Sequence, residues 1–197
     1  APCFRDEDAR ADRSPGEFYQ LDLEMSFVSQ EDIFSVVEKL MVGLFKKFST
    51  KKILFEKFPR ISFNESIDKY GTDKPDLRNP LEICDLTEIF NRKDVKFEMF
   101  KKLVKDGSIV RAIVTKKTNN KPRSFFDNLD KWAKDENYGG LAYFTFENEN
   151  DKISAKGPIG KFFSSEACKE IMKISDAQVG DSIFLACGKK KSVENLL

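Results

Sequence analysis

Residues 18–28 alternate between polar and apolar side chains, and this pattern constrains the fold more than any other feature of the chain. Successive side chains of a β-strand point to opposite faces, so the pattern predicts a strand that is buried on one side only. The apolar face would carry Tyr19, Leu21, Leu23, Met25 and Phe27. The opposite face would carry Phe18 followed by a row of hydrogen-bonding groups, Gln20, Asp22, Glu24 and Ser26.

A helix is expected directly after this strand. The segment Ser29-Gln30-Glu31-Asp32 has the form of a capping box. Apolar residues then recur at helical spacing over about five turns, at Ile33, Phe34, Val36, Val37, Leu40, Met41, Leu44, Phe45 and Phe48. We expect this helix to cover the apolar face of the strand. A second, shorter helix is expected from Glu65 to Tyr70, capped by Asn64 and ended by Gly71.

The composition changes near residue 90, which predicts a domain of residues 1–90 and a second domain of residues 91–197. The second domain has the pattern of an α+β unit with mostly hairpin-linked strands. Strands are expected over about 95–104, 108–116, 140–147 and 181–187. Helices are expected over about 123–136, over about 165–174 and after Gly188.

Composition excludes several classes of function. The 34 basic and 33 acidic residues leave a net charge of +1, so contact with nucleic acid would need local patches. The chain has no histidine, which excludes histidine-bearing zinc sites and Ser–His or Cys–His nucleophiles. The four scattered cysteines indicate a reduced, cytoplasmic protein. No apolar run reaches the length of a membrane span, so we expect no membrane partner. The chain has neither histidine nor a CxxC pair, so we expect no metal site.

The segment from Phe4 to Phe27 reads as strand, charged loop and strand, and it gathers groups that suit a charged ligand. The Arg5 guanidinium is a planar fork for phosphate or carboxylate, and the Asp22 carboxylate suits an ammonium group. Phe18 offers a flat face for a purine, and Glu7 could accept a hydrogen bond from an exocyclic amine. The alternative is an amphipathic edge hairpin with a solvated charged tip.

The same segment resembles a known motif. Phe4-Arg5-Asp6-Glu7 and Glu17-Phe18-Tyr19-Gln20-Leu21-Asp22-Leu23-Glu24 are similar to motif 2 of the class II aminoacyl-tRNA synthetases, in the form of the bacterial-type aspartyl enzymes. The loop from Tyr70 to Pro80 also resembles that family. Residues from about 92 onward resemble its insertion domain, which the tRNA amidotransferase B subunit shares. The resemblance implies part of an antiparallel catalytic sheet with its helix, followed by a separate α+β insertion domain.

The resemblance also implies roles for individual residues. Arg5 would be catalytic, binding the α-phosphate of ATP and the carboxylate of aspartate. The other ATP-binding residues would be Asp6, Glu7 and Phe18, and the other aspartate-binding residues would be Gln20 and Asp22. The acceptor end of tRNA would meet Arg10, Arg13 and Ser14. Gly16 departs from the commoner motif, in which the residue after Pro15 is directly a glutamate, and this leaves the loop roles less defined.

The predicted activity is therefore aspartate–tRNA ligation, with ATP as a substrate and tRNA-Asp as a partner, tRNA-Asn being left open. The chain begins at Ala1 without Met and lacks the family's other motifs. We expect it to be one part of a homodimeric enzyme whose Mg²⁺ ligands lie elsewhere, and to be inactive alone. The alternative is a non-catalytic tRNA-binding or interaction module, whose tRNA binding would be insensitive to replacement of Arg5. Asparaginyl or lysyl synthetases are a third option, less consistent with the loop and the insertion.

Overall fold

The structure is a computed structural model, and it describes residues 1–6, 16–149 and 152–196. These residues form two compact units that divide between Arg60 and Ile61. The boundary predicted at residue 90 differs from this division, because the segment before it belongs to the core of the second unit. Leu86, Ile89 and Phe90 are almost fully buried there.

The first unit begins with a two-stranded antiparallel hairpin of β1 (Pro2–Phe4) and β2 (Glu17–Tyr19), in which Cys3 lies opposite Phe18. The prediction of a strand over 18–28 is wrong beyond Tyr19, because the residues after Gln20 have no partner strand in the described chain. The expected cover by the following helix is also wrong. Leu21 is 79% exposed and Phe27 fully exposed, since an unpaired segment offers no sheet surface to pack against.

Helix α1 spans Gln30–Phe48, and the predicted capping residues start it. The Asp32 carboxylate accepts hydrogen bonds from the Ser29 N–H at 2.8 Å and from the Ser29 hydroxyl at 2.7 Å. The chain after the helix folds back along it, so that the Arg60 guanidinium lies 4.7 Å from the centroid of the Phe34 ring. Arg60 also forms ion pairs with Glu31 and Glu38 of the helix.

The second unit is built on a five-stranded antiparallel sheet with the order β3-β4-β7-β5-β6. Its strands are β3 (Ile83–Asp85), β4 (Ile109–Thr115), β5 (Ala142–Glu149), β6 (Lys152–Lys156) and β7 (Ser182–Gly188). Its helices are α2 (Phe63–Tyr70), α3 (Glu98–Lys105), α4 (Arg123–Asp135), α5 (Ser165–Ser175) and α6 (Lys190–Leu196), with 3-10 turns at Thr87–Asn91 and Gly160–Phe162. This mixture confirms the predicted α+β class.

Several predicted elements of this unit need correction. The strand expected over 95–104 is wrong, because α3 occupies this segment and directs Phe100 and Val104 to the core at helical spacing. Strands β3 and β6 were not predicted. Of the pairs in the described sheet, only β5 and β6 are consecutive strands with no helix between them, so the sheet is not mostly hairpin-linked.

Helix α2 is capped by a different residue from the one predicted. The Ser62 hydroxyl accepts from the Glu65 N–H at 3.2 Å, whereas Asn64 lies inside the helix. Gly71 ends the helix as predicted, with a φ of 67° in the left-handed region that glycine adopts readily. No helix in the described ranges is long and apolar enough to cross a lipid bilayer.

The sheet of the second unit packs against helices on both faces. One face packs Phe144, Phe146, Ile183 and Leu185 against α3, α5 and the turn that carries Phe90. The opposite face packs Phe126 of α4 against Tyr143 and Phe184. Helix α4 therefore covers one side of β5 and β7, whereas the larger core lies on the other side.

Candidate functional site

The first unit holds the described residues of the predicted ATP and aspartate site on its hairpin. The Arg5 N–H donates to the Gly16 carbonyl at 2.9 Å, which continues the pairing of β1 with β2 by one residue. Because Cys3 lies opposite Phe18, the side chains of Cys3, Arg5 and Phe18 share one face of the hairpin. The Arg5 guanidinium carbon is 5.1 Å from the centroid of the Phe18 ring, within cation–π range.

The amide and the carboxylate of the predicted aspartate site lie further along the same face. The backbone of Gln20 exchanges two hydrogen bonds with Ala1, which fixes the residue beside the start of β1. Its side-chain Nε2 donates to Asp22 Oδ1 at 2.5 Å, and its Oε1 lies 3.7 Å from the Cys3 thiol. Gln20 therefore orients the Asp22 carboxylate, although Asp22 itself lies beyond the end of β2.

The face carries one cation and one carboxylate that do not neutralise each other. Arg5 and Asp22, both in the described part of the chain, form no ion pair with one another. Both are exposed, so a ligand can reach them. A guanidinium next to an aromatic ring can hold phosphate and carboxylate oxygens, and an oriented carboxylate can hold an ammonium group. This combination fits a zwitterionic amino acid and a nucleotide.

The other predicted site residues are less defined by the structure. Asp6 directly follows Arg5 and is exposed. Glu7, Arg10, Arg13 and Ser14 lie outside the described residues, so their predicted roles stay predictions. In residues 1–6, 16–149 and 152–196, no three side chains of the types that bind metals are grouped to hold an ion. We assign no step to Mg²⁺.

The loop from Tyr70 to Pro80, which resembles the synthetase family, has ion pairs between its own neighbouring side chains. Arg78 donates from two nitrogens to the Asp76 carboxylate, at 2.8 and 2.5 Å, and this hydrogen bonding lowers the pKa of Asp76 to about 2. The Lys74 ammonium group pairs with the Asp73 carboxylate at 2.7 Å. The loop is tied to α2 because the Ser66 hydroxyl donates to the Thr72 carbonyl at 2.7 Å.

A residue that sequence reasoning missed holds α2 to the sheet. Arg111 of β4 is 14% exposed and forms ion pairs with Asp68 of α2 and Asp85 of β3, each at 3.4 Å. Its one signal in the sequence is a lone arginine within an otherwise apolar strand pattern. The partners could not be predicted, because α2 and β3 are distant from β4 along the chain.

Comparison with known proteins places the chain in a family. A family model described as tRNA synthetases class II (D, K and N) matches residues 1–183. The chain belongs to the class II tRNA synthetases. This synthetase chain is 71% identical over 196 residues to a Pelagibacter ubique protein named aspartate–tRNA(Asp/Asn) ligase, an alignment that covers all of this chain and 33% of that protein.

Two further synthetases show the same pattern of coverage. A Beijerinckia indica protein of the same name is 49% identical over 196 residues, which covers all of this chain and 33% of that protein. An Ehrlichia canis protein of that name is 57% identical over 184 residues, covering 93% of this chain and 30% of that protein. The chain thus spans about a third of the length of the curated relatives it matches.

Proposed function

We propose that this synthetase chain supplies part of the active site of an ATP-dependent aspartate–tRNA ligase. The observation that carries the proposal is the single hairpin face on which Arg5 lies over Phe18 and Gln20 orients Asp22. The names of the relatives support aspartate as the amino acid. The part of the relatives that this chain does not span would supply the rest of the site.

The first step is activation of the amino acid. A carboxylate oxygen of aspartate attacks the α-phosphorus of ATP, the bond to the bridging oxygen breaks, and pyrophosphate leaves. We propose that Arg5 holds both reacting groups, since its fork can contact a carboxylate oxygen and a phosphate oxygen together. Phe18 stacks on the adenine, with Asp6 and Glu7 completing the ATP contacts. Asp22 binds the ammonium group, oriented by Gln20.

The second step transfers the aspartyl group to tRNA. A terminal ribose hydroxyl of the tRNA attacks the activated carbonyl and passes its proton to a phosphate oxygen of the adenylate, and AMP leaves with the bonding electrons of the anhydride. We propose that Arg10, Arg13 and Ser14 meet the acceptor end, where unpaired bases are accessible to side chains. The relatives are named for both tRNA-Asp and tRNA-Asn. We propose tRNA-Asp as the partner, and the experiment described below also measures whether tRNA-Asn is charged.

We further propose that the complete enzyme is a cytoplasmic homodimer whose Mg²⁺ ligands lie outside this chain. The cytoplasmic location is supported by the cysteines, all four of which are free thiols. Burial raises the pKa of Cys84, Cys168 and Cys187 to about 11 in each case. These three thiols therefore stay protonated at neutral pH.

The proposal is tested with the complete protein by pyrophosphate exchange in the presence of aspartate, asparagine or lysine. Exchange that depends on aspartate, followed by charging of tRNA-Asp transcripts, is the expected result. A tRNA-Asn arm measures whether that tRNA is also charged. The 197-residue chain alone should show no exchange above background. Exchange with lysine or asparagine in place of aspartate, or tRNA binding without any exchange, would contradict the proposal.

A further inference from the structure

The second unit contains a cleft that the ligase chemistry does not use. It has a volume of ≈ 460 Å³, within the range of small-molecule sites. Its walls come from the turn after β4, the start of α4, the middle of β5 and the end of β6. The cleft therefore depends on the fold of the sheet and not on one loop.

The charged groups that line this cleft are all cations: Lys121, Arg123 and Lys156. Arg123 pairs with Asp127 at 3.2 Å and Lys156 with Glu147 at 3.0 Å, but neither carboxylate belongs to the lining. Both cations are more than 70% exposed, so they can turn toward a ligand at small cost. Lys121 lies 6.0 Å from the Phe125 ring and has no carboxylate partner among the described residues.

The floor of the cleft is built on two stacked aromatic rings. The Phe126 and Tyr143 rings stack with centroids 4.5 Å apart and planes 12° apart. Burial is the main cause that raises the pKa of Tyr143, and the nearby Asp127 carboxylate is the second, so the phenol stays neutral. Gly157 closes the floor with a φ of 142°, and a Cβ there would lie 3.0 Å from the Phe144 Cα. The close approach of this turn to β5 therefore requires glycine.

Neutral hydrogen-bonding groups complete the lining. The Asn119 amide lies at the rim, held because its backbone N–H donates to the Gly180 carbonyl at 3.2 Å. The Thr145 hydroxyl lies in the wall and donates to the Lys156 carbonyl at 3.2 Å, which ties β5 to the strand that carries the third cation. The site thus combines three cations, an amide, a hydroxyl and an apolar floor.

We propose that this cleft binds a small phosphate ester of nucleotide size. The cations would hold the phosphate, which charge-assisted hydrogen bonds favour strongly. The floor of Phe126, Tyr143 and Pro158 would contact the apolar part of the ligand. The volume exceeds that of a phosphate ion, and the cations lie beside an aromatic floor, which fits a free nucleoside monophosphate.

The test uses the 197-residue chain, labelled with ¹⁵N and titrated with AMP. We expect saturable shifts of the amides of Asn119, Thr145 and Gly157, and weaker binding at higher salt. Replacing all three cleft cations (K121Q, R123Q and K156Q) should weaken AMP binding about tenfold or more. The matched control is K131Q, K169Q and K173Q, which removes the same charge from exposed helix positions outside the cleft.

Each result decides the proposal. Loss of AMP binding in the cleft variant but not in the matched control supports it. No AMP shifts at the cleft amides, equal weakening in the two variants, or shifts confined to the hairpin around Phe18 overturn it. A short single-stranded RNA that shifts the same amides where AMP does not would also overturn it, because the ligand would then be a polymer. Circular dichroism of both variants checks that they remain folded.

Discussion

The Arg5 guanidinium lies over the Phe18 ring, 5.1 Å from its centroid. This contact orients the positively charged group that the proposed reaction needs. A cation at an exposed aromatic face gains about 0.5–1 kcal/mol, enough to bias a long side chain toward one position. The contact therefore keeps the fork of Arg5 on the face that also carries Gln20 and Asp22.

Replacing Arg5 with lysine in the complete protein tests whether the planar fork matters beyond its charge. We expect aspartate-dependent pyrophosphate exchange to fall about 10²–10³-fold, the scale for losing one preorganised donor to a developing charge. Arg60 gives a matched control, because its guanidinium lies 4.7 Å from the Phe34 ring in the same unit. The R60K variant should keep exchange within about twofold. Equal losses in R5K and R60K would contradict the assigned role.

Replacing Asp22 with asparagine tests the ammonium site. The variant can still accept the hydrogen bond from Gln20 but has lost the charge, so kcat/KM for aspartate should fall about 10–100-fold. The KM for ATP should stay within about twofold, because the ammonium group belongs to the amino acid. The control is E24Q, which removes a charge two residues further along the predicted row. A rise in the KM for ATP as large as the effect on aspartate would refute the assignment.

Local sequence signals predicted much of this fold where the determining contacts are local. The capping residues before α1 and the glycine after α2 act over a few residues, and both ends were predicted correctly. The alternation that starts at Phe18 placed Phe18 and Gln20 on one face, because successive side chains of a strand alternate whatever its neighbours are. That Arg5 shares this face follows from the pairing of β1 with β2, which the alternation alone does not give.

Predictions failed where distant segments decide the structure. The apolar side chains of residues 95–104 fit the spacing of a strand as well as that of a helix. Packing of Phe100 in the core favours the helix α3. The residues from 21 to 28 alternate like a strand but have no strand partner among the described residues, since pairing requires another strand. The cleft of Lys121, Arg123 and Lys156 gathers residues from three elements, which only the tertiary fold brings together.

Acid should weaken the second unit through Asp94. Its carboxylate accepts two bonds from Arg92, at 2.9 and 2.8 Å, and one from the Ser164 hydroxyl at 2.5 Å. These contacts hold the pKa of Asp94 well below its usual range, with the hydrogen bonds from Arg92 having the largest effect and the one from Ser164 the next. Because the folded-state pKa is lowered, the stabilisation is present above the unfolded pKa of about 3.9 and is lost as the pH falls below it.

The D94N variant of the 197-residue chain tests this link. At pH 7 the free energy of unfolding should fall by about 1–2 kcal/mol, because Ser164 and Arg92 lose a charged acceptor. Between about pH 5 and pH 2 the variant should lose less stability than the unmodified chain does. Urea denaturation across this range gives both values, with D106N as the control at an exposed carboxylate. If D94N lost as much unfolding free energy between about pH 5 and pH 2 as the unmodified chain, Asp94 would not be the source of the acid sensitivity.

Gly160 is expected to tolerate no side chain. A Cβ at this position would lie 2.2 Å from the Ala155 carbonyl oxygen, which belongs to β6 and cannot move without disturbing the sheet. G160A should therefore lower the free energy of unfolding by about 3 kcal/mol, the upper end of the range for overpacking. Gly140 provides the control in the same unit, because its Cβ would meet only ordinary contacts at 3.4 Å and beyond. Urea denaturation should show G140A close to the unmodified chain, and a similarly small effect of G160A would mean that the turn before α5 can relax.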